Sequence, residues 1–495
     1  MALRARAAPQ RSDGRARGRQ SRLSRHPDGA ASAPHLSIPA FRTLPVPADA
    51  CPGSRPDPLA GGASVVEADT LLPQAASRAG ARLGAWVRIA ADVARRLAFR
   101  ALSAVEGGEV VLRYPDGRGR RFGDAKGQSI TVELRRPDAF WRKLGTRTRV
   151  GFGESYVEGD WECDDLVGLF SLLGRNLETS AEHPTLKRLY RLQELRPDRR
   201  PRQTPAAAKN NIHAHYDLGN DLFELMLDPT MAYSCAYWER PGMTLEEAQR
   251  AKARHICEKL RLGPDDEVLE IGCGWGGFAI QAATEAGCRV TGLTLSPSQA
   301  TFTRERVEAA GLTGRVEIRE QDYRVTGGRF TKIVSIEMFE AIGLAEYGNY
   351  FSAIDRLLTR GGLACIQTIG VPDWRFERFR RRPDWLQQTI FPGSLIPSLG
   401  AIAKAVGGTQ LQIYGVEEIG FGYARTLREW RGNVEQNIER IRALGYDERF
   451  LRIWAFYLAY CEAGFAIRSL RDMQIVLSHS ANDALPEFPR VRPGY

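Results

Sequence analysis

The stretch from Val268 to Ala279, V-L-E-I-G-C-G-W-G-G-F-A, constrains the fold of this 495-residue chain more than any other. Val268 to Ile271 suits a buried strand, the glycines suit a tight turn, and residues 278–286 suit the first turns of a helix. A strand that runs through a glycine turn into a helix brings backbone N–H groups close to a nucleotide-like ligand. Gly272, Gly274 and Gly277 also satisfy G-x-G-x-x-G, so the glycines alone leave a dinucleotide open. A ligand-free turn that packs a helix on a sheet is the plainer alternative.

The next strand weighs against a dinucleotide. An NAD site needs a carboxylate at the tip of the second strand, about 20 residues after the turn. Residues 289–294 fit that strand, but its tip reads Thr294-Leu-Ser-Pro-Ser-Gln299 and holds no acid. Glu270 instead precedes the first glycine, and an acid followed by G-x-G-x-G resembles the S-adenosylmethionine (SAM) pocket of class I methyltransferases. Short apolar runs at 316–319, 332–336 and 363–368 alternate with helical segments. That pattern predicts an α/β fold with a doubly wound, Rossmann-like parallel sheet. Its ligand edge is the carboxyl end of the strands, where Asp322, Met338 to Glu340 and Gln367 to Gly370 fall.

The flanking segments differ in character. Residues 1–82 are rich in Arg, Ala, Pro, Gly and Ser, with no Glu before Glu67 and no Lys before Lys126. So little apolar surface cannot offset ordering entropy, and disorder is expected. An Arg-rich, acid-poor start also suits a transit peptide, though it lacks a clear amphipathic helix. From 83 to 185 a helical pattern, period-two stretches at 109–114 and 129–134 and an amphipathic run at 166–173 predict a small N-terminal α+β domain. An Arg- and Pro-rich linker (186–208), the main domain (209–482) with an expected acyl-binding insertion after its last parallel strand, and a short tail (483–495) complete the chain.

Net charge is +10, with 43% hydrophobic and 26% charged residues, which suits a globular protein with affinity for anionic surfaces. Charge alone does not separate nucleic acid from phospholipid. The eight cysteines form no C-x-x-C pair, so reduced thiols are expected. Residues 453–467 are apolar but interrupted by Glu462, which favours a buried or cleft-lining helix over a membrane span. Trp374 to Arg382 interleaves aromatics with five arginines. That composition fits either a bilayer interface or a solvated helix over a hydrophobic lid. His213 and His215 have no evident third partner, so no metal site is expected.

Several motifs taken together resemble the cyclopropane-fatty-acyl-phospholipid synthase family of SAM-dependent methyltransferases, from about Arg113 to Leu477. They are Gly153-Glu-Ser-Tyr-Val-Glu-Gly, His215-Tyr-Asp-Leu-Gly-Asn-Asp221, Tyr233-Ser-Cys235, Glu270-Ile-Gly-Cys-Gly-Trp-Gly276, Gly292-Leu-Thr-Leu-Ser296, Met338-Phe-Glu340 and Tyr423 to Trp430. The resemblance implies that the alkene of an unsaturated acyl chain, still esterified in a phospholipid, attacks the SAM methyl group. The resulting cation then loses a proton and closes to a cyclopropane. It further implies a bound bicarbonate as base, with Cys235, Glu340, Ile369 and Tyr423 as its shell. Gln367 stands where most bacterial relatives have histidine, as in some other branches including plant enzymes, and glutamine cannot take up a proton near neutral pH. That departure also keeps open a related acyl C-methyltransferase that makes methylene- or methyl-branched chains. The implied SAM shell is Tyr233, Ser234, Gly272, Gly274, Gly276, Thr294, Gln299 and Asp322. The expected partners are unsaturated phospholipids of anionic membranes rather than nucleic acid, met from the cytoplasm by a peripherally bound enzyme. The small domain is expected to bind the bilayer or to join two copies. The plainer roles are a buried thiol for Cys235, core packing for Tyr423 and a helix cap for Glu340.

Overall fold

A computed structural model describes residues 73–180, 219–381, 384–482 and 485. The expected linker, most of the expected disordered tail, and His213 and His215 lie outside the described residues. The tail does meet the structure at its end. Helix α1 (Pro73–Ser103) begins inside the segment expected to be disordered.

After α1 come β1 (Gly108–Arg113), β2 (Gly119–Gly123), β3 (Gln128–Leu134), α2 (Pro137–Val157), β4 (Trp161–Cys163) and α3 (Leu166–Ser180). The four strands form one sheet in the order β2-β1-β3-β4. β1 and β3, the two period-two runs, pair in parallel, and the missed strand β2 closes the hairpin beside β1. Indole Nε1 of Trp161 is fully buried and donates to Ser155 Oγ at 2.9 Å. This accounts for the serine of the Gly153-Glu-Ser stretch. Gly153 accounts for the first glycine, since a Cβ there would sit 2.5 Å from the Trp385 ring.

The larger part holds α4 (Asn220–Met226), α5 (Leu245–Leu260), β5 (Glu267–Ile271), α6 (Gly277–Ala286), β6 (Arg289–Thr294), α7 (Pro297–Ala309), β7 (Val316–Glu320) and β8 (Phe330–Ile336). It continues through α8 (Tyr347–Leu357), β9 (Leu358–Gly370), α9 (Asp373–Arg380), α10 (Trp385–Thr389), α11 (Leu399–Val406) and β10 (Leu411–Glu418). Helices α12 (Tyr423–Gln436), α13 (Ile438–Ala443) and α14 (Glu448–Ala466) then lead to β11 (Arg471–His479). The sheet order is β10-β11-β9-β8-β5-β6-β7. β5 to β9 are parallel as expected. The antiparallel pairings of β11 with β9 and with β10 were not foreseen. The chain starts at β5, winds outward to β7 and returns to β8, so the switch point lies between β5 and β8. Ligands in open α/β sheets bind there.

The small and large parts share one core. Phe456 of α14 packs against Phe170 at 5.0 Å and Trp385 at 4.7 Å between ring centres. Arg452 reaches from α14 to Glu162 at 2.6 Å and donates to the Tyr156 carbonyl at 2.8 Å. Glu462, the acid that interrupts the apolar helix, is buried and paired with Arg428 and Arg431. Among the described residues no helix is long and apolar enough to cross a membrane.

Loss of Arg452 leaves the Tyr156 carbonyl without its donor and leaves Glu162 only the more distant Arg135, at 3.4 Å. Arg452→Ala is therefore expected to lower stability by about 2–4 kcal/mol in urea unfolding. A change within experimental error would show that the two parts are not fastened there.

Candidate active site

The carboxyl ends of β5 and β8 face each other across the switch point. Gly272, with φ of +83°, sits so close to Met338 that a Cβ would lie 2.8 Å from its Cγ. Gly276 has φ of +79°, and a Cβ there would meet Thr303 at 2.4 Å. Gly276 thus serves packing and lies outside the cavity wall, unlike its assignment to the SAM shell. Gly274, with φ of +52°, has nothing within 4 Å of a Cβ position and borders open space.

That space is a cavity of about 1710 Å³. Pockets for a single small ligand measure about 300–1,000 Å³, so this cavity has room for more than one small molecule. Its polar end is the glycine turn with Tyr233, Ser234, Thr294, Gln299 and Asp322. Its apolar end is lined by small-domain residues including Phe140, Trp141, Phe152 and Phe170. The acyl-binding insertion expected in the main domain supplies Trp385, Ile390 and Phe391 to this end, but the small-domain wall was not foreseen.

The polar end fits SAM. Glu270 is buried, and burial pushes its carboxyl up to about 8, while the Ala279 N–H at the start of α6 works the other way. Its Oε2 has no partner among protein atoms. Thr294 Oγ1 donates to Gln299 Oε1 at 3.1 Å, which gives β6 a neutral tip. Lys252 is buried in the cavity wall and donates to Ser234 Oγ at 2.6 Å. Asp322 is tied to Arg324 at 2.6 Å, and its pKa falls because those hydrogen bonds outweigh the desolvation that raises it. Tyr233 shares a 2.6 Å hydrogen bond with Tyr457.

The expected bicarbonate shell is arranged differently. Glu337, the first residue past β8, was missed. It carries φ of +49°, a strained conformation for a side chain with Cβ. Its Oε1 accepts from the Cys235 N–H at 2.7 Å and from Gln367 Nε2 at 2.8 Å. Its Oε2 accepts from the Tyr423 hydroxyl at 2.5 Å. The Ile369 N–H donates to Glu340 Oε1. Each donor expected to face bicarbonate already holds a carboxylate of the chain. A second anion would meet Glu337 rather than a free N–H, so these residues do not fit bicarbonate.

Gln367 and Cys235 are fully buried behind the wall, whereas Glu337, Glu340, Ile369 and Tyr423 line it. Burial pushes the Cys235 thiol well up, so it remains a thiol. Burial also raises Glu340 to about 8 and Asp472 well above the usual carboxylate range, in each case helped by the nearby Glu337 charge. Burial raises Glu337 too, against the pull of Tyr423, the Cys235 N–H, Lys252 and Gln367. With three donors, Glu337 is the best supplied carboxylate of this acid cluster, and Lys252 pulls its pKa down while burial pushes the lysine's own pKa down. Two acids three residues apart at a strand end was the signal in the sequence.

The chain matches the family model described as mycolic acid cyclopropane synthetase over residues 203–475. It is 38% identical over 365 residues to a tuberculostearic acid methyltransferase of Mycobacterium tuberculosis, covering 72% of this chain and 84% of that protein. It is 37% identical over 362 residues to the cyclopropane-fatty-acyl-phospholipid synthase of Escherichia coli, covering 72% and 89%. The crystal structure of a mycolic acid cyclopropane synthase complexed with SAH and CTAB superposes with a TM-score of 0.51 at 32% identity, covering 54% of this chain and 97% of that one.

The glycines separate ligand contact from folding. Gly274→Ala is expected to weaken SAM binding at least tenfold in calorimetry, at a stability cost of about 1 kcal/mol for the left-handed backbone. Gly276→Ala should lower the melting temperature further through Thr303. Equal SAM affinity in Gly274→Ala and wild type would move the cofactor away from the turn.

Proposed function

The chain belongs to the mycolic acid cyclopropane synthetase family of SAM-dependent methyltransferases, and from that premise we propose that it adds a methylene unit to the cis double bond of unsaturated acyl chains in membrane phospholipids. One observation carries the reading. A single cavity joins a polar SAM cradle to an aromatic, apolar chamber long enough to lie in both parts of the protein. Bound SAM supplies an electrophilic methyl group there. The turn at Gly272 and Gly274 and the tip of β6 would hold it, and Glu270, whose Oε2 has no partner among protein atoms, would hydrogen-bond to it. The aromatic lining excludes water from a developing carbocation and can stabilise it through ring faces without capturing it. Holding methyl and alkene in line removes much of the entropic part of the barrier.

The phospholipid and membrane parts of the proposal are supported by α1. Trp86, Ile89, Val93 and Leu97 fall on one face of this helix and are 70%, 54%, 49% and 58% exposed. Arg88, Arg96 and Arg100 are exposed on the same helix. Leu97, Ala98 and Ala101 also line the cavity, so the greasy stripe runs into its mouth. An apolar stripe with neighbouring arginines suits an anionic bilayer surface, met peripherally from the cytoplasmic side. The arginine-rich α9 supports such a contact less well. Its Phe376 is buried, and Arg380 and Arg381 pair with Glu377.

A second reading has specific support. Gln367 and the similarity to a tuberculostearic acid methyltransferase favour a product in which the same cation ends as a methylene branch. Purified protein given SAM and oleoyl phospholipid vesicles is expected to yield an acyl chain heavier by one methylene. Mild hydrogenation separates the outcomes, because an exocyclic alkene takes up hydrogen and a cyclopropane does not. Untouched oleoyl lipid would overturn both.

Burial of a large apolar side chain contributes about 1.5–3 kcal/mol. Serine at Trp86, Ile89, Val93 and Leu97 together is expected to weaken binding to anionic vesicles more than a hundredfold, with SAM affinity unchanged. Serine at Arg378, Arg380 and Arg381 should weaken it less. Retained vesicle binding with loss of a dimer in sedimentation would assign the stripe to a second copy instead.

A further inference from the structure

We propose that the Glu337 carboxylate is the base of the reaction, built into the chain at the place where the resemblance puts a bicarbonate ion. The inference rests on the methyl-transfer reading and goes beyond it by naming the proton acceptor. Three observations on the geometry carry it.

First, Glu337 lines the cavity just past the end of β8, the strand paired beside β5, which leads into the glycine turn. Second, its two oxygens gather three donors from three distant segments: the Cys235 N–H, the Gln367 amide and the Tyr423 hydroxyl. Gln367 is fixed for this role, because its Oε1 accepts from Gln474 Nε2 at 3.0 Å while its Nε2 also reaches Asp472 at 3.0 Å. Third, the backbone at Glu337 is held at φ of +49° by a 2.8 Å hydrogen bond from its own N–H to the Gln367 carbonyl. A strained conformation held by its surroundings is common where a side chain must be aimed.

The step balances without an added reagent. The alkene electron pair forms a bond to the methyl carbon as the sulfur–methyl bond breaks, and S-adenosylhomocysteine leaves with that pair. The other alkene carbon is then cationic. One C–H bond of the new methyl group breaks, its electrons close the ring, and its proton passes to a Glu337 oxygen. The proton returns to solvent once the product has left. Gln367 takes no proton; it positions the carboxylate.

Wild-type protein is expected to turn over oleoyl phospholipid vesicles at the same rate in bicarbonate-depleted and bicarbonate-supplemented buffer. Glu337→Gln should lose about a hundredfold or more in turnover, with SAM affinity by calorimetry within about threefold of wild type. Glu337→Gly vacates the position, and formate or bicarbonate should restore part of its turnover. Three results would each overturn the proposal: wild-type turnover that falls on bicarbonate depletion and returns on supplementation, near-normal turnover in Glu337→Gln, or a SAM-binding Glu337→Gly that neither anion restores. Absence of turnover in wild type under both conditions would instead count against the methyl-transfer reading itself.

Discussion

A carboxylate taken out of water must be met by donors and a counter-charge, or it takes up a proton instead. The site depends on how that demand is met at Glu337. Its donors come from the segment before α5, from β9 and from the start of α12, and Lys252 of α5 lowers its pKa from the same cavity wall. Nearby Glu340 and Asp472 have fewer donors and are pushed toward the neutral form. The carboxylate best supplied with donors is thereby held at one place, between the polar end of the cavity and its apolar wall.

The fold explains how such distant segments meet. Pairing of β8 with β9 sets Ile336 beside Gln367, and pairing of β9 with β11 sets Gln367 beside Gln474 and Ile369 beside Asp472. A one-residue slip in either ladder would turn these side chains to the opposite face. The antiparallel β11 therefore does more than extend the sheet, because it carries two of the groups that fix Gln367. On the other side of the cavity, α14 fastens the small sheet to the large one through Phe456 and Arg452. The apolar wall and the reactive end are held as one body.

Much of this was legible in the sequence because it is local. The parallel strands, the helix at Leu245–Leu260 and the glycine turn follow from periodicity and turn chemistry within short windows. What was not legible depends on distant partners. The small domain read as separate because its period-two strands are self-contained, yet the rings that complete its core lie on α14. Gly276 matched a cofactor pattern, but Thr303 from α7 takes up the space beside it. Cys235 drew notice for its thiol, while its contribution to the site is its backbone N–H. Glu337 stood in plain view three residues before Glu340. Only the end of β8 and its left-handed turn decide which acid gathers the donors.

The fate of the transferred carbon is decisive: the methyl group reaches an acyl chain and then gives up one hydrogen to a base beside it. The most direct measurement uses SAM with a fully deuterated methyl group, oleoyl phospholipid vesicles and mass spectrometry of the released acyl chains. Products that keep two of the three deuterium atoms are expected. Products that keep all three, or acyl chains that carry no label, would contradict it.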